Sequence, residues 1–413
     1  MFIPRPTRGG VLFLCAAAAA LGTAFMNVGL VSALIASVTV SFVISGFLLS
    51  WFSAAGFELR RELMLEGRCL EKVSLPVVVR NRTFLFRQPA VITERLPFVP
   101  GGQSNWELPA LGPYETIRLE REITAVRRGH FYLEKIQIIS GDPCGLFQVR
   151  KTFRIPGEMV IRPQIRPLHD LPTGCGRQLS MTGDGRPLGH AGMGNDFFGV
   201  RPYRPGDEIR FVHWRLSAAK QKLMVREFEA SAIERIVLIL DTDVSSVGWD
   251  PAENNFEALV SLAASISGYF ASQYCFLTLF TCFDGNLMQL NGDAAGVNVK
   301  IMELLTEIRP GRNKIENLVA DVLESLPRNS VLYVLSMTAS PTLQGMLRIL
   351  EDQNIRLQWV CASKEYFPIV WDEEPMEFVL PPEDRRFPKV FAPRLLTCQT
   401  RFEELFADEN VQV

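Results

Sequence analysis

The stretch RIVLILDTDVS at residues 235–245 carries five consecutive apolar residues between Arg235 and Asp241. A continuous apolar run of this kind is typical of a strand that is buried on both faces of a parallel sheet. Further apolar runs lie at residues 276–280, 331–335 and 357–361, and helical patterns lie at 255–272, 297–307, 315–326 and 342–352. This alternation predicts a doubly wound, Rossmann-like α/β domain over residues 234–413, with ligands bound at the carboxyl ends of its strands.

The region from residue 57 to residue 163 has a different pattern. Short apolar segments such as 73–79, 90–93 and 134–139 alternate with polar residues, and Gly or Pro separates them. A period of two with regular turns predicts a small β-sandwich-like domain. We expect Leu146 and Phe147, which end a turn that starts at Asp142, to fill the core of this domain.

An uncharged run occupies the amino-terminal region. From Gly9 to Gly56 the chain has no Lys, Arg, Asp or Glu, and about 20 apolar residues are enough to cross a bilayer as a helix. Asn27 and Gly29 interrupt the run and indicate a turn. Residues 1–56 are therefore predicted to form a transmembrane helical hairpin with spans at about 10–25 and 30–51.

The charges beside the hairpin predict its orientation. Arg5 and Arg8 precede it, Arg60 and Arg61 follow it, and the tip carries no positive charge. The positive-inside rule then predicts both termini and the soluble domains in the cytoplasm. A cleaved signal peptide is the alternative, which is disfavoured because a second long apolar run follows the first. The same four arginines could also bind anionic lipid.

Residues 164–233 combine a Gly- and Pro-rich stretch with a dense polar segment, GNDFFGVRPYRPGDEIRFVHWRLSAAKQKLMVREFE at 194–229, which we call the signature segment. Arg204-Pro205-Gly206-Asp207 within it is a turn signal. Between Gly185 and Glu227, eight basic residues face three acidic ones. Two interpretations stay open: a surface that recognises an acidic partner, or arginines that fork onto Asp196, Asp207 and Glu208 within the chain.

Several function classes are disfavoured. The net charge of −2 does not indicate nucleic-acid binding, and the eight Cys form no CxxC pair that would indicate zinc or a redox dithiol. No phosphate-binding loop occurs, and neither GxSxG nor HExxH is present. A hydrolase that uses His190 or His213 with Asp207 or Asp241 is therefore only an alternative, and we expect no enzymatic activity.

The signature segment resembles the bacterial family called domain of unknown function 58, whose members carry a von Willebrand factor A-like domain. The matching positions are Asp196, Phe197, Arg201, Tyr203, Pro205, Gly206, Asp207, Arg210, Trp214, Ala218, Lys222, Leu223 and Glu227. The resemblance implies a von Willebrand A-like α/β domain at residues 234–413. It also implies association with MoxR-type AAA+ ATPases, with other von Willebrand A proteins and with transglutaminase-like proteins.

The same resemblance raises a metal question. In von Willebrand A domains the first strand ends in D-x-S-x-S, whose oxygens coordinate Mg²⁺. Here Asp241 and Ser245 match, and Asp243 replaces the first Ser, a set that could hold Mg²⁺ or Ca²⁺. The loop after the third strand, 336–339, lacks the family's Asp. The alternative is that Asp241 and Asp243 cap the next helix through backbone N–H groups.

The residues therefore predict a membrane-anchored scaffold with its soluble domains in the cytoplasm. The resemblance implies that the membrane is the inner membrane of a bacterium, and that the scaffold partners a MoxR-type AAA+ ATPase in the assembly or maturation of protein complexes. Metal-dependent ligand binding is the alternative function, with Asp241, Asp243 and Ser245 as the candidate ligands. The candidate partner-binding residues are Asp196, Arg201, Tyr203, Arg204, Asp207, Arg210, Trp214, Arg215 and Lys222.

Overall fold

The computed structural model divides the chain into two compact units, Met1–Gln164 and Ile165–Val413. It describes residues 3–26, 29–53, 55–172, 191–204, 209–229, 234–250, 252–327, 330–352, 355–368 and 392–406. Within these ranges only the backbone is described at 191–199, 210, 227–229 and 351–352.

The first unit begins with two long apolar helices, α1 (Arg8–Met26) and α2 (Leu30–Ser53). Most of their side chains are exposed, including Leu12, Phe25 and Val38. Both helices are long and apolar enough to cross a bilayer. Their bounds agree with the predicted spans to within a few residues.

The rest of the first unit is built from short strands. These are β1 (Arg5–Pro6), β2 (Phe57–Arg61), β3 (Met64–Arg68), β4 (Lys72–Ser74), β5 (Val77–Asn81), β6 (Ala90–Arg95), β7 (Gln103–Leu108), β8 (Thr116–Leu119), β9 (Glu122–Thr124), β10 (Gly129–Gly141) and β11 (Phe147–Arg162). The main sheet has the order β1-β11-β10-β6-β7, with β3 parallel to β11. Smaller sheets run β2-β5-β8 and β4-β9. The region is thus rich in β-sheet, as predicted.

Strand alternation explains the core of this β domain. In β6, Ala90, Ile92 and Glu94 are buried, whereas the residues between them are not. Ile92 packs with Ile136 and Ile138 of β10 and with Val77 and Val79 of β5, and all five side chains are buried. A period of two places every second residue on the face that another sheet covers.

One cluster of charges is buried inside the β domain. Glu94 accepts from Arg61 Nη2 at 2.5 Å and from Arg121 Nη2 at 3.3 Å. The Arg121 guanidinium also lies 3.0 Å from the centroid of the Trp106 ring. Burial lowers the pKa of Arg121 to about 10. Arg61 was a candidate lipid ligand, and that prediction is wrong because its side chain is buried against Glu94; Arg5, Arg8 and Arg60 are exposed.

The turn between β10 and β11 packs on the helices. Asp142 Oδ1 accepts from Phe147 N at 2.5 Å, and Thr7 N donates to Leu146 O at 2.9 Å. The Phe147 ring lies edge-on to Phe47 of α2, with 5.7 Å between centroids. Leu146 and Phe147 are buried, but against the hairpin rather than in the core of the β domain. The expectation that they fill that core is wrong because the turn carries them to its helix-facing end.

The second unit alternates strands and helices. Its strands are β12 (Ala191–Pro202), β13 (Met224–Glu229), β14 (Glu234–Leu240), β15 (Cys275–Phe283), β16 (Asn286–Asp293), β17 (Val331–Ser336), β18 (Arg356–Cys361) and β19 (Arg394–Leu395). Its helices are α3 (Trp214–Lys220), α4 (Asn255–Ala271), α5 (Ala294–Glu307), α6 (Ile315–Val322) and α7 (Pro341–Asp352). The main sheet has the order β16-β15-β14-β17-β18-β19, and every pair in it is parallel except β15 with β16.

Helices cover both faces of this sheet. Ile236, Leu238 and Leu240 of β14 belong to a core that includes α4 and α5. Val237 and Ile239 belong to a second core that includes α6 and α7. The five residues 236–240 are all 0% exposed. Because both faces of this part of β14 are covered, its residues do not alternate between apolar and polar.

Strand β16 was missed by sequence analysis. Asp284 and Gly285 before it have φ values of 48° and 83°, as in the two-residue turns of β-hairpins. The residues of β16 alternate between exposed and half-buried, because it lies at the edge of the sheet. Asp-Gly was the signal that could have located it, whereas a search for continuous apolar runs could not.

Candidate functional site

The signature segment folds back on itself as a two-stranded ribbon. Strand β12 is antiparallel to β13, with Arg201 opposite Val225 and Pro202 opposite Met224. Beyond the strand end, Tyr203 N donates to Leu223 O at 2.8 Å. These bonds bring the two halves of the segment together, with α3 in the connection between them.

Helix α3 is held in place by His213 and Ser217. His213 is the N-cap, and its Nδ1 accepts from Leu216 N at 3.3 Å. Ser217 Oγ donates to His213 O at 3.0 Å and accepts from Met224 N at 2.8 Å, which ties α3 to β13. A 3-10 turn at Ile209–Phe211 precedes the helix, which starts at Trp214.

Large apolar side chains on the segment are exposed. Trp214 is 63% exposed at the first position of α3, and Ile209 and Leu223 are exposed as well. Arg215, Lys220 and Lys222 are also exposed. Within the described part of the chain these three cations make no ion pair. Trp and Arg are enriched in protein–protein interfaces, whose cores are depleted of charge and whose rims are polar. An exposed Trp with cations around it therefore fits an apolar anchor inside a polar rim.

The other candidate partner-binding residues of the signature segment differ in their exposure. Arg201 and Tyr203 are half-buried, Arg204 is exposed, and Arg201 Nη1 donates to Pro202 O at 3.1 Å. Asp207 lies outside the described residues, and so do the side chains of Asp196 and Arg210. The choice between a recognition surface and an internal ion-pair network for these arginines therefore stays a prediction. Ile209 and Leu223 were not named as site residues, because an apolar residue in a polar segment is first assigned to the core.

The second candidate region is the loop after β14. Asp241 lies at the carboxyl end of the strand and is 1% exposed. Its Oδ1 accepts from Asp243 N and its Oδ2 from Met337 N, both at 2.9 Å. Asp243 Oδ1 accepts from Ser245 N at 3.0 Å, and its Oδ2 accepts from Ser245 Oγ at 2.8 Å. The three candidate metal ligands are thus brought together, and each carboxylate oxygen already accepts a hydrogen bond.

The electrostatics of Asp241 follow from its burial. Burial raises the pKa of this carboxyl to about 6, and the N–H groups of Met337 and Asp243 oppose that rise. The charges of Asp243 and Glu316 add to it. Among the described residues there is no cluster of three His, Cys, Asp or Glu that could hold an ion. Asp243 is the N-cap of the 3-10 turn Val244–Ser246, but the partners of Asp241 are Asp243 N within the loop and Met337 N after β17. A carboxylate oxygen that accepts one hydrogen bond keeps a second lone pair, so the metal and the capping interpretations both stay predictions.

Asn255 completes this edge of the sheet and was missed by sequence analysis. Its Nδ2 donates to Ser246 O at 2.8 Å and to Ala362 O at 2.9 Å, and its Oδ1 accepts from Gly248 N at 2.8 Å. The fully buried side chain thereby joins the loop after β14 to the end of β18. The adjacent Asn254 caps α4, so a local helix-start signal concealed the long-range role of Asn255.

Solved structures give only weak likenesses. The CARDB domain of a Pyrococcus furiosus protein is 12% identical and covers 25% of this chain and 91% of its own, at a TM-score of 0.19. A GH20 exo-β-N-acetylglucosaminidase from Vibrio harveyi is 8% identical and covers 75% of this chain and 57% of its own, also at a TM-score of 0.19. Scores this low support no argument about fold or activity.

Sequence comparison gives a clearer result. The uncharacterized protein YeaD of Bacillus subtilis is 25% identical over 151 residues, which are 37% of this chain and 35% of YeaD. The alignment thus covers about a third of that relative. Residues 199–351 match the model of a family described as protein of unknown function DUF58. From the second half of β12 to the end of α7, including α3 and the Asp241 loop, the chain is therefore similar to that family.

Proposed function

We propose that this chain is a membrane-anchored scaffold without enzymatic activity of its own, and that its signature segment binds a cytosolic protein. The resemblance described above implies a MoxR-type AAA+ ATPase as that partner, in the assembly or maturation of protein complexes. The match over residues 199–351 supports the likeness to the family of unknown function, and not the partner itself. On this proposal the sheet β14–β19 is von Willebrand A-like, and it carries the segment as a rigid support.

The exposure of Trp214 is the observation that carries this proposal. A Trp that is 63% exposed leaves a large apolar area in contact with water. Ile209 and Leu223 in the same segment are exposed too, and Arg215 and Lys222 supply positive charge. Interface energy concentrates in Trp, Tyr and Arg anchors that become desolvated on binding. The cations would raise the rate of encounter with an acidic surface, and salt would weaken that effect.

The apolar helices supply the anchor. With α1 and α2 in the bilayer, Arg5 and Arg8 at the start of the hairpin and Arg60 after it support a topology with both ends of the hairpin in the cytoplasm. Proteolysis of sealed inner-membrane vesicles of known orientation tests this topology. We expect the region after residue 56 to be digested only when the cytoplasmic face is accessible.

The binding test uses the full chain in nanodiscs and the purified MoxR-type ATPase of the same organism. Replacing Trp214 by Ala should weaken binding at least about thirtyfold, since truncation of a central anchor costs about 2 kcal/mol or more. Biolayer interferometry at two salt concentrations measures the affinity and its salt dependence.

Tyr274→Ala is the matched control, because Tyr274 is 82% exposed in the same unit but lies outside the signature segment. It should bind the ATPase as the unchanged protein does, and both variants should keep their unfolding temperature. If Trp214→Ala and Tyr274→Ala bind equally well, the signature segment does not recognise the ATPase.

Metal-dependent ligand binding has its own test. Calorimetric titration of Mg²⁺ or Ca²⁺ into the chain, compared with Asp241→Ala, measures whether the loop after β14 takes an ion. We expect no binding heat, because no third His, Cys, Asp or Glu side chain joins Asp241 and Asp243 in a cluster among the described residues. A heat that Asp241→Ala abolishes would establish a metal site here.

A further inference from the structure

An exposed apolar loop lies between β5 and β6 of the first unit. Phe84 is 70% exposed, Phe86 is 62% exposed, and Leu85 between them is also exposed. Tyr114, whose N donates to Thr83 O at 3.1 Å, is exposed beside them. Four neighbouring large side chains of this kind form an apolar patch, which on a folded protein marks a contact surface.

The loop is held in this exposed conformation by a buried amide. Asn81 is 0% exposed, and its Nδ2 donates to Leu85 O at 2.8 Å and to Gly112 O at 2.8 Å. Its Oδ1 accepts from Thr83 N at 3.0 Å and from Thr83 Oγ1 at 2.7 Å. Because Asn81 fixes the backbone on both sides of Phe84, the ring cannot turn into the core without breaking these bonds.

The position of the loop is set by the end of α2. Arg87 is buried, and its Nη1 donates to the carbonyl oxygen of Phe52 in the last turn of that helix. Arg87 Nη2 donates to Thr83 Oγ1 at 2.7 Å, and Arg82 N donates to Gly56 O at 2.8 Å. The apolar loop therefore lies beside the end of a helix that is itself apolar and exposed.

We propose that the Phe84–Phe86 loop inserts into the interfacial region of the bilayer, as a third membrane contact beside α1 and α2. This inference rests on the proposal that the two helices span the membrane. Burying three apolar side chains at the boundary between headgroups and acyl chains is favourable, and the polar backbone of the loop stays bonded to Asn81. Arg60 and Arg82, which both pair with Glu58, lie at the same end of the domain, where they suit the headgroup layer.

Fluorescence quenching tests the proposal. The full chain is reconstituted into phosphatidylcholine–phosphatidylglycerol liposomes with and without bromine on the acyl chains. Phe84→Trp and, separately, Phe86→Trp add an emitter to a chain that has six native Trp. We expect the added emission to be quenched at least twofold more strongly than that of Tyr132→Trp.

Tyr132 is a suitable control because it is 74% exposed and lies in β10. Strand geometry places it roughly 30 Å along β10 from Gly141, the end of the strand that approaches the hairpin. All three variants replace an exposed aromatic by another, so the fold should be retained, and circular dichroism checks this.

Trp51 of α2 separates failure of the loop from failure of the anchor. Comparing the unsubstituted chain with Trp51→Phe isolates the quenching of Trp51. If Trp51 is quenched but Trp at 84 and 86 behaves like Trp at 132, the loop proposal is overturned and the anchor stands. If Trp51 is not quenched either, both the anchor and the loop contact are overturned.

Discussion

The cores of the two units differ in where they hold charge. In the second unit, β14 is apolar from residue 236 to residue 240, and the carboxylate follows at the strand end in Asp241. In the first unit, Glu94 lies within strand β6 and is buried with Arg61 and Arg121. A core of the first kind gains stability from area alone, whereas one of the second kind depends on each ion keeping its partner.

The largest expected effect comes from breaking the buried ion cluster. Glu94→Ala leaves the guanidiniums of Arg61 and Arg121 buried without a counter-charge. We expect the free energy of unfolding to fall by about 3–5 kcal/mol. Denaturant unfolding of the detergent-solubilised chain, followed by the fluorescence of Trp106 and its neighbours, measures the loss.

Glu122→Ala is the matched control for that change. Glu122 Oε2 lies 3.3 Å from Lys72 Nζ, and both side chains are exposed. An exposed pair contributes about 1 kcal/mol or less. Equal losses for Glu94→Ala and Glu122→Ala would mean that burial does not distinguish the two pairs, and the contrast between the cores would fail.

The next effect concerns the charge at the strand end. The pKa of Asp241 is raised from 3.8 to about 6, so the folded chain retains a proton that the unfolded chain releases between these values. Stability should therefore fall as pH rises through this window, by up to about 3 kcal/mol, and stay reduced above it. Unfolding temperatures at pH 4.5 and pH 7.5 measure the change.

Asp241→Asn tests whether this carboxyl is responsible. The amide does not titrate, so the variant should lose less stability than the unchanged chain between the two pH values. Only the pH dependence is compared, because the amide nitrogen of Asn also meets the N–H of Asp243 or Met337. If the unfolding temperatures of the two proteins change equally with pH, other titrating groups cause the loss of stability.

The smallest expected effect comes from removing a single side-chain hydrogen bond in the apolar core of the second unit. Tyr333 is fully buried in β17, and its Oη donates to Pro172 O at 2.6 Å. Tyr333→Phe keeps the ring and removes the donor, so we expect a loss of about 1 kcal/mol. Denaturant unfolding measures it. A loss as large as that of Glu94→Ala would show that this core also depends on its polar pairs.

Sequence patterns predicted the two cores unequally, for a physical reason. A strand covered on both faces is a continuous apolar run, so β14 and β17 could be located directly. Glu94 interrupts an alternating strand, and its partners Arg61 and Arg121 lie 33 and 27 residues away in sequence. No local pattern links such residues, and Arg61 therefore looked like a solvated charge beside the membrane.

In the candidate site, too, local patterns located single residues but did not predict their long-range partners. The position of Asp241 followed from the end of the apolar run, and Trp214 was distinguished by its polar surroundings. The hydrogen bond between Asp241 and Met337 N joins residues 96 positions apart, and it depends on β14 and β17 being neighbours in the sheet. Exposure of Ile209 and Leu223 is likewise a property of the folded segment and not of its composition.

The β domain is bonded to both helix ends that meet it. Thr7, just before α1, bonds to the turn at Leu146, and the last turn of α2 accepts from Arg87. The two ends are thereby fixed at one separation by a single folded body. A change in the crossing angle of α1 and α2 must break one of these bonds or deform the domain. The two helices are therefore restricted to moving together with the β domain.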